Sequence, residues 1–105
     1  MELDKLLKEV SDKLNLDREI KIKIKPFKKK IASISHKTGT LYLNKICLDI
    51  LTMEEIKFVI AHELLHLKHG KIHTLKFEQE LRSLFSKDLT RSINWKIKKL
   101  LKSPT

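Results

Sequence analysis

The chain has 105 residues, 41% of them hydrophobic, with 23 Lys and Arg against 13 Asp and Glu for a net charge of +10. That length holds one modest core in one domain, 1–105, and the apolar content excludes wholesale disorder. No apolar run approaches the roughly 20 residues of a bilayer span, the charged start is no secretory leader, and a lone cysteine, Cys47, excludes an internal disulfide framework, so a cytoplasmic setting is expected.

Residues 3–15 read as an amphipathic helix with Leu3, Leu6, Leu7, Val10 and Leu14 on one face. Residues 18–25 alternate Ile20, Ile22 and Ile24 with Lys21, Lys23 and Lys25, the pattern of a half-buried strand with lysines facing water, ended by Pro26. Residues 30–36 and 40–44 read as two more strands joined by a turn at His36-Lys37-Thr38-Gly39, with Leu41 and Leu43 inward and Tyr42 outward. Thr52 and Glu55 form a capping box that opens a helix whose apolar face is Ile56, Val59, Ile60, Leu64 and Leu67, and Gly70 stops it. A helix is predicted from Ile72 to Phe85, and another from Lys87 to Lys102 with Ile93, Ile97, Leu100 and Leu101 on one side. The fold class is α+β: a small three-stranded sheet packed on an N-terminal helix, an HExxH helix and following helices.

His62-Glu63-Leu64-Leu65-His66 carries the chemistry. Histidines four apart on a helix are offset by about 40°, so both imidazoles reach one metal ion. Glu63, turned about 100° from His62, sits beside a metal-bound water rather than on the metal. Zinc would acidify that water, and Glu63 would take its proton as general base. The bland alternative is a solvated helix face bearing two histidines, but four of the five histidines fall between positions 62 and 73.

A catalytic zinc site needs a third protein ligand and an open position. His73, expected in the first turn of the helix after Gly70, is the first choice, and Glu78 and Glu80, further along that helix, compete with it. His69, three residues after His66, either faces the site and helps polarise a substrate carbonyl or, the more usual case, is a solvated residue of the last helical turn, where its charge complements the macrodipole. His36 reads as a polar turn residue, and Cys47 as a small buried side chain.

Ala32-Ser33-Ile34, Thr38-Gly39-Thr40-Leu41-Tyr42-Leu43-Asn44, Leu51-Thr52-Met53-Glu54-Glu55 and Ile60-Ala61-His62-Glu63-Leu64-Leu65-His66-Leu67-Lys68-His69-Gly70 follow one another as hairpin, capped helix and zinc motif. This order resembles the gluzincin metallopeptidases, in particular the soluble core of the CAAX-type membrane proteases, and in size it is similar to the minigluzincins of thermophiles. The resemblance implies a zinc endopeptidase with histidine as third ligand, which His73 would supply. It also implies a zymogen-like latency in which the C-terminal segment, 87–105, covers the cleft. The membrane relatives carry a Glu-x-x-x-Asp helix motif; here Lys76 stands where their glutamate ligand would be, which favours His73.

Partners expected on this reading are a peptide or protein substrate, bound by strand addition along Leu41 to Asn44, and a second copy of the chain through exchange of the terminal helix. No membrane span and no nucleic acid are required. The competing reading is a basic nucleic-acid-binding module using Lys28-Lys29-Lys30 and the lysines at 96, 98, 99 and 102 around a structural zinc; a structural site gives no reason for Glu63. A zinc-binding protein without turnover is the third. Abundant Lys, Glu and Ile, as in heat-adapted proteins, account for the net charge without a dedicated patch.

Overall fold

The structure, a computed structural model, describes residues 2–28, 30–70 and 72–102. The expected contributions of Lys29 to the lysine run, of the Leu100 and Leu101 side chains to an apolar face, and of positions 103–105 to the terminal segment lie outside the described residues.

Eight elements follow in order: α1 (Glu2–Lys13), β1 (Lys21–Lys25), β2 (Ala32–Ser35), β3 (Thr40–Asn44), α2 (Lys45–Ile50), α3 (Met53–His69), α4 (Leu75–Leu84) and α5 (Lys87–Lys102). Among the described residues, no helix is long and apolar enough to cross a membrane. Helix α3 is the hub on which α1, β2, α4 and α5 all pack. The spacing of Leu3, Leu7, Val10 and Leu14 puts them on one face of the N-terminal segment, and all four are buried. The Lys68 ammonium donates to the Leu14 carbonyl at 3.1 Å, so a cation of α3 caps the segment where α1 ends.

The sheet order is β1-β3-β2, with β1 parallel and β2 antiparallel to β3. Leu41 and Leu43 are fully buried because β3 is the central strand. That corrects the expectation of a free edge along Leu41 to Asn44: β3 is paired on both sides, and within this sheet the outer edges belong to β1 and β2. As an edge strand, β1 leaves Ile24 partly exposed and turns its lysines to water, the usual protection of an open edge. Gly39 has φ 69°, and a Cβ there would meet Arg18 Nε at 3.0 Å and the Glu19 carbonyl at 3.1 Å, so the hairpin turn requires glycine twice over.

The short helix α2 was not foreseen. Asn44 starts it by accepting from Ile46 N at 3.2 Å, while its amide donates to the carbonyls of Phe27 (3.2 Å) and Lys30 (2.7 Å) and holds the β1–β2 connection beside the sheet. The capping box of α3 is present as read: Thr52 Oγ1 accepts from Glu55 N, and Glu55 Oε1 accepts from Thr52 N at 2.8 Å.

Glu55 does more than cap. It is 3% exposed, and it accepts from Lys96 Nζ at 2.7 Å and from Ser92 Oγ at 3.3 Å, which pins α5 to the start of α3. Burial pushes its carboxyl up, but the hydrogen bonds from Lys96 and Thr52 outweigh burial and hold it below the usual carboxylate value. Because the folded-state value is depressed, this stabilisation is complete above the ordinary carboxylate value near 4.5 and is lost as pH falls through the lower folded value. Lys96→Met is expected to destabilise the fold by about 1–3 kcal/mol in denaturant melts, since it strands a buried carboxylate whose partner was partly solvated. It should also flatten the acid limb of the stability–pH curve. A melt unchanged in Lys96→Met would remove this pair from the account.

Candidate active site

Helix α3 presents His62 and His66 one turn apart, and Gly70 ends the helix with φ 94°, a conformation that turns the chain back. The next helix starts later than expected. Thr74 is its N-cap, accepting from Phe77 N at 3.2 Å, so His73 lies in the connection before α4 and not in its first turn. The consequence for the site is favourable: the connection carries the His73 ring over the face of α3. One ring nitrogen from each of His62, His66 and His73 lies within 4.8 Å of the other two, close enough for the three to hold one metal ion.

These donors fit a tetrahedral ion. Nitrogens bound at roughly 2.0–2.1 Å to one tetrahedral zinc stand roughly 3.3 Å apart, and His66 Nε2 and His73 Nε2 are 3.0 Å apart. His66 Nδ1 is 3.1 Å from the Gly70 carbonyl. A carbonyl only accepts, so this nitrogen carries the proton and Nε2 keeps its lone pair for a metal. The His73 imidazole sits below its ordinary value, through partial desolvation and then the neighbouring His62 and His66, which favours the neutral form that ligates.

The three rings rest on one side chain that the sequence reading passed over. Phe77 is fully buried, with its ring centroid 5.3 Å from His62 and 4.7 Å from both His66 and His73. Thr74 places Phe77 in the first turn of α4, under the histidines, so the cap and the apolar floor are one local device. The only sequence signal is an aromatic four residues after His73. Phe58, one turn before His62, stacks on it at 6.4 Å.

Of the two competing ligands, Glu80 is engaged elsewhere. Glu80 Oε1 is 2.7 Å from His69 Nε2, and Oε2 accepts from Lys68 Nζ at 3.1 Å. Burial raises the Glu80 carboxyl, but these partners outweigh it and leave it below the ordinary value. His69 therefore ties α3 to α4, a structural role in place of the solvated end-of-helix residue expected. Glu78 is absent from the metal-binding cluster. Cys47 is buried as expected, burial raises its thiol to about 11, and it stands outside the histidine cluster.

Glu63 lies between two depressions. One, of about 310 Å³, is lined by His62, Phe58, Asn94 and Ile97; the other, of about 370 Å³, by His66, Ser33, Ile34 and His36. Both share Glu63, Lys30 and Ala32, so together they form a cleft between α3 and the edge strand β2. His36, read as a turn residue, is in that turn and also lines the cleft. Asn94 and Ile97 come from α5, so the terminal helix walls the cleft, while its Ile93 is fully buried in the core.

The family described as YgjP-like, metallopeptidase domain, matches residues 1–96. A protein of Methanocaldococcus jannaschii is 54% identical over 86 residues, 79% of this chain and 78% of that one. One of Aquifex aeolicus is 44% identical over 97 residues, 90% of this chain and 88% of that one. Two solved metallopeptidase zymogens share the fold. Jannalysin of Methanocaldococcus jannaschii has a TM-score of 0.79 at 43% identity, covering 91% of this chain and 93% of that one. Abylysin of Pyrococcus abyssi has a TM-score of 0.82 at 32% identity, covering 97% and 98%. With three converging imidazoles and a glutamate next in sequence to the first of them, in a minigluzincin-like α+β fold, this chain belongs to the YgjP-like metallopeptidase domain family.

Proposed function

We propose that this metallopeptidase is a zinc endopeptidase in which His62, His66 and His73 hold the ion and Glu63 is the general base. The observation that carries the reading is the convergence of three imidazole nitrogens within 4.8 Å, next to a carboxylate that lines both lobes of one cleft. An all-imidazole set of three suits zinc with one position left open. Bound there, the metal acidifies water and polarises a carbonyl.

The chain's own residues do the rest. The outer edge of β2 pairs with an extended substrate, whose backbone then runs along α3 past Glu63. Glu63 takes a proton from the attacking water and returns it to the leaving amine. The Gly70 carbonyl fixes the tautomer of His66, and Phe77 keeps solvent from beneath the three rings.

In the same reading the chain is latent, because Asn94 and Ile97 of α5 narrow the cleft beside His62 and Glu63. Truncation before Ser92 is a poor test, since it also removes Ile93 from the core. Asn94→Ala/Ile97→Ala keeps α5 and opens that wall. The zinc-loaded double variant is expected to cleave an unfolded protein substrate about tenfold or more faster than the parent chain, about 1.4 kcal/mol off the barrier, with activity removed by a chelator and restored by zinc. A folded, zinc-loaded double variant that cleaves nothing across a peptide library would overturn the peptidase reading. Equal rates for variant and parent would overturn the latency alone. If latency instead needs a second copy exchanging α5, the parent's rate will rise on dilution.

A further inference from the structure

Helix α5 has a second face that the cleft does not use. A groove of about 680 Å³, larger than either lobe of the cleft, lies between the end of α4 and the outer side of α5. Lys87, Arg91, Asn94, Trp95 and Lys98 line it from α5, at spacings of four, three, one and three that form a single helical stripe. Arg82 and Phe85 close it from the other side. Among the described residues, no carboxylate lines it.

Two features mark this face. Its cations have no partners: among the described residues, Arg82, Lys87, Arg91 and Lys98 make no side-chain hydrogen bond or ion pair. Lys96, on the inner side of the same α5, is by contrast paired with Glu55. The chain's one tryptophan, Trp95, stands in the middle of the stripe 63% exposed, with Lys99 Nζ 4.9 Å from its ring. A large aromatic left in water among unpaired cations is the composition of a recognition surface, where arginines fork onto carboxylates and an aromatic supplies contact area.

The groove also joins the cleft. Asn94 lines both, and Phe85 of the groove packs edge-on against Phe58 of the cleft at 5.2 Å between ring centroids. We propose that this α4–α5 groove is a docking site for an acidic segment of the polypeptide substrate, adjoining the cleft at Asn94; the identity of the occupant as substrate rests on the peptidase reading above. From Lys87 to Lys98 the stripe rises about 16 Å along the helix axis, the span of about five residues of extended chain. A second copy of this chain is disfavoured as occupant by its own net charge of +10. A nucleic acid would also meet the cations, but the groove adjoins the cleft of a metallopeptidase domain, which favours an acidic stretch of polypeptide as the occupant.

The test uses the full-length Glu63→Gln chain loaded with zinc, so that no probe is cut. The probe is a ten-residue peptide alternating Glu and Gly, with Gln and Gly as neutral control, followed by the emission of Trp95 and by anisotropy. The acidic peptide is expected to bind at least about tenfold more tightly than the neutral one. Arg91→Glu/Lys98→Glu should weaken it at least about tenfold, while Lys5→Glu/Lys8→Glu, the same charge change on α1, leaves it within about twofold. Equal weakening by both pairs would reduce the effect to net charge and overturn the proposal. So would a ten-nucleotide thymidine strand that binds more tightly than the acidic peptide and is lost with Arg91→Glu/Lys98→Glu. Peptide binding that persists in a chain shown to hold no metal and cleave nothing sustains the groove and removes only the peptidase reading.

Discussion

His66→Ala is expected to lose its metal, and His62→Ala and His73→Ala with it. Each supplies one of three converging nitrogens, and no other side chain among the described residues joins the cluster. Zinc in all-protein sites is held by about 10–16 kcal/mol in apparent terms. Shared over three ligands, one imidazole accounts for about 3–5 kcal/mol, so affinity should fall on the order of 10²- to 10⁴-fold. Zinc titration by calorimetry reads this directly, and metal content after dialysis reads it crudely. The discriminating comparison is with Glu80→Ala and Glu78→Ala. Glu80→Ala frees Lys68 and His69 from their partner and should lower the melting temperature, yet keep the zinc. Zinc loss in Glu80→Ala together with zinc retention in His73→Ala would hand the third-ligand role to the glutamate. Thermal melts add an independent reading: at a free zinc concentration of about 100 times its dissociation constant, binding stabilises the parent by about 2.7 kcal/mol, and the histidine variants should show almost none of that shift.

What the sequence discloses about this site follows from how local each feature is. The capping box at Thr52 and Glu55, the helical His62-x-x-x-His66 pair and the stop at Gly70 depend on neighbours within a few residues, and all three stand as read. His73 was legible as a ligand but not in its backbone setting. The predicted helix began at Ile72 on apolar content, whereas Thr74 takes the N-cap without the acidic residue at the third position that announces a capping box. The sheet was half legible. Alternation identifies Leu41 and Leu43 as inward, but the parallel pairing of Lys21–Lys25 with Thr40–Asn44 joins segments far apart in sequence, and nothing local marks β3 as central. That is why the substrate-binding edge was expected on β3, whereas the edge facing Glu63 is on β2. Helix α2 is too short for a periodic signal, and its only announcement is Asn44 after an alternating run. Asn94 and Ile97 reach the site from three-dimensional packing alone, and no spacing rule ties Asn94 to Glu63.

Glu63→Gln is expected to abolish turnover while leaving metal and fold in place. The substitution conserves shape and removes the only carboxylate that lines both lobes of the cleft. Little of the fold depends on its charge: its nearest recorded ionic neighbour is His62 Nδ1 at 3.8 Å, beyond hydrogen-bond range, in contrast to the fully engaged Glu55 and Glu80. A glutamine cannot take a proton from water at neutral pH, so the general-base contribution, typically 10²- to 10⁴-fold, should vanish from kcat. The substrate contacts proposed along β2 are untouched, so KM should change little, which separates a lost proton acceptor from a distorted cleft. The measurement belongs on the Asn94→Ala/Ile97→Ala background, where the cleft wall is relieved and the parent rate is high enough to lose two decades. Zinc affinity must be measured beside it, because loss of metal would mimic loss of the base. Equal turnover with and without the carboxylate, in zinc-replete and contaminant-free protein, would mean that water is deprotonated elsewhere. His36, across the second lobe from Glu63, would then be the side chain to replace next.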